Sequence, residues 1–298
     1  MKKKLYHLCA SAPEIMFRVP EDYIQGINKA CLSAYRHDTH LLAYAFMSNH
    51  FHIIAETANP DVYIGSIRNG YTKWFNHKYG RQGPLGYISF HSVELTTADH
   101  ILDGITYVLR NGVHHNIAHY PSGYPYSSAK YYFMKDFGLE FKYNPVLTWK
   151  EQREHLPWAT KLPPGFTLDN SGLLIQEHIL QSAMVEHYYG TARNFSYFMN
   201  KTSAKEWATL NIESWMGEKA KELIDKERYN SRVKKVNDIQ ICLYIDAWLS
   251  KNKRGASYVT LTRSEKMSLA KQLMQKRATT GQIQRCLAIS AEDMSSSI

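Results

Sequence analysis

Cysteine is scarce and scattered: Cys9, Cys31, Cys242 and Cys286 are the four in 298 residues, and no two form a C-x-x-C pair. That spacing excludes a zinc ribbon and points to free thiols in a reducing compartment. No apolar run approaches the length that spans a bilayer. The start, Met1-Lys2-Lys3-Lys4, imitates the basic end of a secretory signal, but Leu5 to Glu14 is too short and too polar to serve as its hydrophobic core. A cytoplasmic protein with no membrane partner is expected. Internal repeats and low-complexity tracts are also missing, which excludes solenoid and disordered classes.

What remains is an ordinary globular composition, 44% hydrophobic and 21% charged, enough for one large domain or two modest ones. The net charge of +9 favours a polyanionic partner. Nucleic acid is the usual one, because Lys and Arg release counterions from phosphates. Many soluble proteins are mildly basic, so charge alone does not decide the matter.

The apolar pattern gives an ordered series of elements. Residues 5–10 read as a strand. Glu21 to His37 carries Tyr23, Ile24, Ile27, Ala30, Cys31 and Ala34 at helical spacing. Thr39 to Met47 and His50 to Glu56 are two strands joined by the turn Ser48-Asn49. Asp61 opens a second helix through Tyr79, ended by Gly80, Gly83 and Pro84. Tyr87 to Leu95 reads as a fourth strand, and Asp99 to Asn111 as a third helix stopped by Gly112. The order β-α-β-β-α-β-α predicts an α+β fold: a ferredoxin-like (βαββαβ) antiparallel sheet with helices on one face, followed by a mainly helical C-terminal region. The other face would be a ready nucleic-acid platform. The spacing divides the chain into a domain at 1–136, a Pro- and Gly-rich connector at 137–172 and a helical region at 173–298. Within the last, Ser264 to Lys276 and Gly281 to Ser290 flank a cap-like break at Thr279-Thr280. That suggests a helix-turn-helix with an Arg on its polar face, and a plain helical hairpin is the competing reading.

Two positions bear chemistry. On a strand, His50 and His52 point to the same side, and two imidazoles there can hold a divalent ion. H-x-H also arises by chance, and this chain has 14 His. Tyr107 and Asn111 share a helical face four residues apart. A tyrosine hydroxyl can attack a phosphodiester, and an amide oxygen can complete the shell of a hard metal. The plainer reading of Tyr107 is a core residue.

The segment Ala45-Phe46-Met47-Ser48-Asn49-His50-Phe51-His52-Ile53-Ile54 resembles the HUH signature of single-tyrosine transposases, especially the REP-associated tyrosine transposases, which typically show M-P-N-H-x-H. Tyr107 to Val113 resembles their Y-I-x-x-N-P-V segment. Tyr71 to Gly83 is similar to their second helix and its turn, and Tyr124-Pro125-Tyr126-Ser127-Ser128 to their Y-x-W-S-S segment. The four matches fall in family order across residues 5–133. Ser48 and Gly112 depart from it, each standing where the family has Pro.

The resemblance implies a metal-dependent DNA transposase that cleaves and rejoins single-stranded or hairpin DNA through a 5′-phosphotyrosine. His50 and His52 would bind Mg²⁺ or Mn²⁺, with Asn111 the third ligand and Tyr107 the nucleophile. His114 and His115 could compete as ligands, though two solvent-exposed histidines are the simpler reading. Expected DNA contacts are Lys3, Lys4, Arg68, Lys73, Arg110 and Arg285. Basic clusters at Arg232, Lys234, Lys235, Lys251, Lys253 and Arg254 could add grip. The family contains monomers and homodimers, and both stay open. A domesticated, non-catalytic hairpin-binding protein is the alternative.

Overall fold

The computed structural model describes residues 2–86, 89–115, 117–140, 147–156, 162–200, 236–253 and 255–295. Four strands, β1 (Lys4–Ser11), β2 (His40–Met47), β3 (His50–Thr57) and β4 (His91–Glu94), form an antiparallel sheet in the order β2-β3-β1-β4. With α1 (Pro20–Arg36) between β1 and β2, and α2 (Pro60–Tyr79) between β3 and β4, this is the expected ferredoxin-like arrangement. The fourth strand is shorter than expected, and positions 87 and 88 of that expectation lie outside the described residues.

Local chemistry fixes the two long helices. Pro20 opens α1 with its ring-fixed φ. The Asp22 carboxylate accepts from the backbone N–H of Arg18 at 2.7 Å and of Val19 at 3.1 Å, which ties the chain entering the helix to its first turn. Gly80 ends α2 at φ 63°, a left-handed conformation that costs glycine little. Both helices bury one stripe, Tyr23, Ile27 and Cys31 on α1 and Ile64, Ile67 and Phe75 on α2, against Phe46, Phe51 and Ile53 of the sheet.

The second face of the sheet is not an open platform. It is covered by α3 (Ala98–Leu109), α6 (Ser182–Tyr189) and α7 (Ala192–Asn200), with Ile105, Val108, Val185 and Phe195 packed against Leu42, Ala45 and Ile54. Alternation along β3 divides the strand: Phe51 and Ile53 join the α1–α2 side, Ile54 the α3 side.

The third helix is broken. It ends at Leu109, Arg110 turns at φ −88°, ψ 1°, and a one-turn helix α4 follows at Asn111–His114. Gly112 therefore lies inside α4 and is not the stop. A Cβ at Gly112 would come within 2.7 Å of Tyr124 Cβ, so the bare backbone lets α4 lie against that ring.

The Tyr124-to-Ser128 segment covers the outer edge of β2, where exposed strand groups would invite further pairing. Phe46 N–H donates to Tyr126 O at 3.0 Å, Tyr124 Oη to Phe46 O at 2.6 Å, and Tyr44 N–H to Ser128 Oγ at 3.0 Å.

Residues expected to be connector belong in part to the core. Helix α5 (Trp149–His155) lies within this stretch. Leu156 and Leu168 of this stretch are buried on the α1–α2 side, as are Leu174, Ile179 and Leu180 just after it. The Asn28 side-chain amide bonds Gly172 O at 2.7 Å and receives Leu174 N–H at 2.9 Å, holding that loop to α1.

The C-terminal part is helical as expected, with α8 (Asp238–Asn252), α9 (Arg263–Gln275) and α10 (Thr280–Leu287) around a small core of Ile241, Ile245, Leu269, Leu273, Ile283 and Leu287. Helix, short turn and helix is what α9 and α10 make. Yet six of eight positions on α10 are buried, so it presents no recognition face, and the helical-hairpin reading describes it. Among the described residues no helix is long and apolar enough to cross a membrane.

Candidate active site

Strand alternation puts His50 and His52 on the α3 side of β3, and antiparallel pairing sets Ser11 and Cys9 of β1 opposite them. His7, two residues before Cys9, shares their side. Tyr107 comes from the last turn of α3, Asn111 and His114 from α4, and His115 from its end. The cluster is built ring on ring. His52 lies 5.3 Å from Tyr107 and 5.1 Å from His7 between ring centroids. His50 lies 5.2 Å from His52 and 5.1 Å from His115, and Tyr107 5.4 Å from His114.

The four residues expected to do the chemistry are thus brought together, all buried: His52, Tyr107 and Asn111 at 0% exposure and His50 at 1%. The two later histidines are half-buried against the cluster, not solvent-exposed. A helix continued past Gly112 would also set His114 on the face of Tyr107 and Asn111, whereas the packing of His115 on His50 is not given by that pattern.

Hydrogen bonds orient the two imidazoles. His50 Nδ1 pairs with Asn49 Oδ1 at 2.9 Å, and because that oxygen accepts, His50 Nδ1 donates. His52 Nδ1 pairs with His7 Nε2 at 3.1 Å. Among the described residues neither His50 Nε2, His52 Nε2 nor the Asn111 amide completes a hydrogen bond of ordinary geometry. The Asn111 amide does come near enough to His50 to oppose part of its pKa fall. Burial dominates that fall and takes His50 to about 4. It likewise lowers His7 to about 3, helped by His100, and holds His52 well below the ordinary histidine value. All three rings are therefore neutral at pH 7, the state in which imidazole offers a lone pair. Burial pushes the neighbouring Cys9 thiol up to about 12, so it stays protonated.

Among the described residues no group of three or more His, Cys, Asp or Glu side chains is arranged to hold a metal ion. The expected set is of another kind, two imidazoles and an amide.

Of the expected DNA contacts, Arg110 adjoins this cluster and the charge of Arg285 reaches His50, while the lysines and Arg68 lie away from it. Lys3 bonds Asp38 at 2.8 Å and Lys4 bonds Glu94 at 2.9 Å. They begin the strand whose other end meets His50. Arg68, half-buried over the Phe90 ring at 5.6 Å, and exposed Lys73 are on α2, across the sheet from the cluster. Arg110 is buried where α3 breaks. Arg285 is not on a polar face: it is buried, with Nε 2.6 Å and Nη2 2.9 Å from the two Asp238 oxygens, and it fastens α10 to α8. Lys251 is exposed and Lys253 pairs with Glu265 at 2.7 Å. Arg232, Lys234, Lys235 and Arg254 lie outside the described residues.

Sequence reading missed His7 and Asn49. A histidine at the middle of an otherwise apolar strand, in phase with Leu5 and Cys9, was the available signal for His7. Its meeting with His52 depends on strand register, which no local pattern encodes.

No protein-family model matches the chain, and no curated protein matches it. Among solved structures it is similar to a REP-associated tyrosine transposase bound to a REP hairpin, at 15% identity and a TM-score of 0.38, over 50% of this chain and 91% of that one. A likeness of that degree bears on neither the site residues nor the activity.

Proposed function

We propose that this protein is a metal-dependent DNA strand-transferase that cuts and rejoins single-stranded or hairpin DNA with Tyr107 as nucleophile. One observation carries the reading: Tyr107 packs against His52 in a buried cluster that also holds His50 and Asn111, drawn from separate elements. Hairpin DNA as substrate follows from the sequence resemblance.

Mg²⁺ or Mn²⁺ is the proposed cofactor, held by His50 Nε2, His52 Nε2 and Asn111 Oδ1. The residues fit such an ion, since these atoms are buried and, among the described residues, complete no hydrogen bond of ordinary geometry beyond the approach of the Asn111 amide to His50, while the far nitrogens of both rings are tied. The set contains no carboxylate, so water and phosphate oxygens would complete a hard ion's shell. Bound there, the ion supplies charge stabilisation at the scissile phosphate. Tyr107 Oη forms a bond to phosphorus as the bond from phosphorus to the 3′ oxygen breaks, leaving a 5′-phosphotyrosine and a 3′-hydroxyl. Attack by another 3′-hydroxyl reverses the step and joins strands without ATP.

Complete burial of Tyr107 favours a second reading, a hairpin-binding protein that does not cut. Formation of a covalent protein–DNA band with Mn²⁺, lost with EDTA and in His50→Ala, supports the transferase. Tight hairpin binding without any adduct supports the binding protein.

A further inference from the structure

We infer that His7 is a positioning residue: it holds His52 in the tautomer whose Nε2 is bare toward the metal position. This rests on the metal reading proposed above. His7 and His52 are both 0% exposed, and their rings meet through His7 Nε2 and His52 Nδ1 at 3.1 Å. The pair is diagonal across the β1–β3 ladder, His7 standing opposite Ile54 and His52 opposite Cys9, so the strand register sets it.

Between two neutral imidazoles one nitrogen must donate and the other accept. If His7 Nε2 accepts, His52 carries its proton on Nδ1 and its Nε2 lone pair is available. If His7 Nε2 donates, His52 must carry its proton on Nε2 and cannot ligate there. Asn49 solves the same problem for His50 with an oxygen that accepts from Nδ1. With His7 Nε2 accepting, β1 and the β2–β3 turn each place an acceptor behind one of two neighbouring imidazoles. His7 also touches the other side of the chemistry, its ring edge-on to Tyr107 at 5.9 Å.

The test uses the full chain. In metal-free wild type, ¹⁵N ring spectra should show His52 protonated at Nδ1. His7→Phe removes the acceptor and should weaken Mn²⁺ binding, read by the EPR signal of free Mn²⁺, by about 10- to 100-fold. His7→Gln, whose Oε1 can accept the same proton, should recover binding to within a few-fold of wild type. A purely structural role would not distinguish Phe from Gln in this way. Wild-type affinity in a folded His7→Phe protein overturns the assignment, and so does an Nε2-protonated His52 in wild type, which needs no variant to fold. Wild-type protein that binds no Mn²⁺, with His52 protonated at Nδ1, overturns the metal reading itself and with it the role given to His7.

Discussion

His50 and His52 share a side because a strand alternates, and that much could be read from three letters of sequence. Their burial could not, and it has a consequence for pH. An unfolded chain protonates histidine near its ordinary value of 6.5, while folded His50 and His7 wait until about 4 and 3. Below pH 6.5 the unfolded state binds more protons, so stability is whole above that value and falls as pH drops toward 4. The loss is at most about 1.4 kcal/mol per pH unit for each histidine. Urea unfolding in EDTA at pH 7, 6 and 5 should show it, with a shallower slope in His50→Gln. Equal slopes in the two proteins would contradict a neutral, buried His50. Tyr107 and Asn111 were legible as neighbours four residues apart, although the break at Arg110 puts them on two helices rather than one. His114 was legible on the face of Tyr107 if the helix ran past Gly112; its burial and the packing of His115 on His50 were not, because they depend on contacts between separate elements.

At the scale of elements, β-α-β-β-α-β was readable because each segment agrees with its own period: alternation in the strands and a 3.6-residue stripe in the helices. Contacts between distant elements were not readable. The stretch 137–172 looked like linker because of its Pro and Gly, yet its Leu156 and Leu168 are buried on the α1–α2 side of the core. Gly112 shows how a departure from a family pattern can have a packing reason. Gly112→Ala should meet Tyr124 and destabilise the protein by about 1–3 kcal/mol, measured by thermal unfolding. An unchanged melting temperature would mean the α4–Tyr124 contact is looser than described. Arg285 makes the same point about charge. Arg285→Ala strands Asp238 in a buried place and should cost about 3–5 kcal/mol. Loss of DNA binding at undiminished stability would restore its role as a contact.

Across the whole molecule, the C-terminal helices are fastened to the sheet domain through Arg18. Its guanidinium is fully buried, lies 3.8 Å over the Tyr258 ring, and bonds Asp246 at 2.8 Å and the Cys286 carbonyl at 3.2 Å. Arg18→Met should release this unit by about 2 kcal/mol, discounted because Asp246 is partly solvated. Faster hydrogen exchange across Asp238–Leu287 would report it, and unchanged exchange would place the fastening elsewhere. The same closure bears on function. Tyr107 is buried at 0% exposure among His7, His52 and His114, so the proposed cleavage would require that cover to open when DNA enters. The most direct measurement is incubation of the full chain with 3′-labelled hairpin DNA and Mn²⁺, followed by a denaturing gel. Label should migrate with protein, absent in EDTA and in Tyr107→Phe, while Tyr107→Phe still binds the hairpin. An undiminished covalent band in Tyr107→Phe would contradict this expectation.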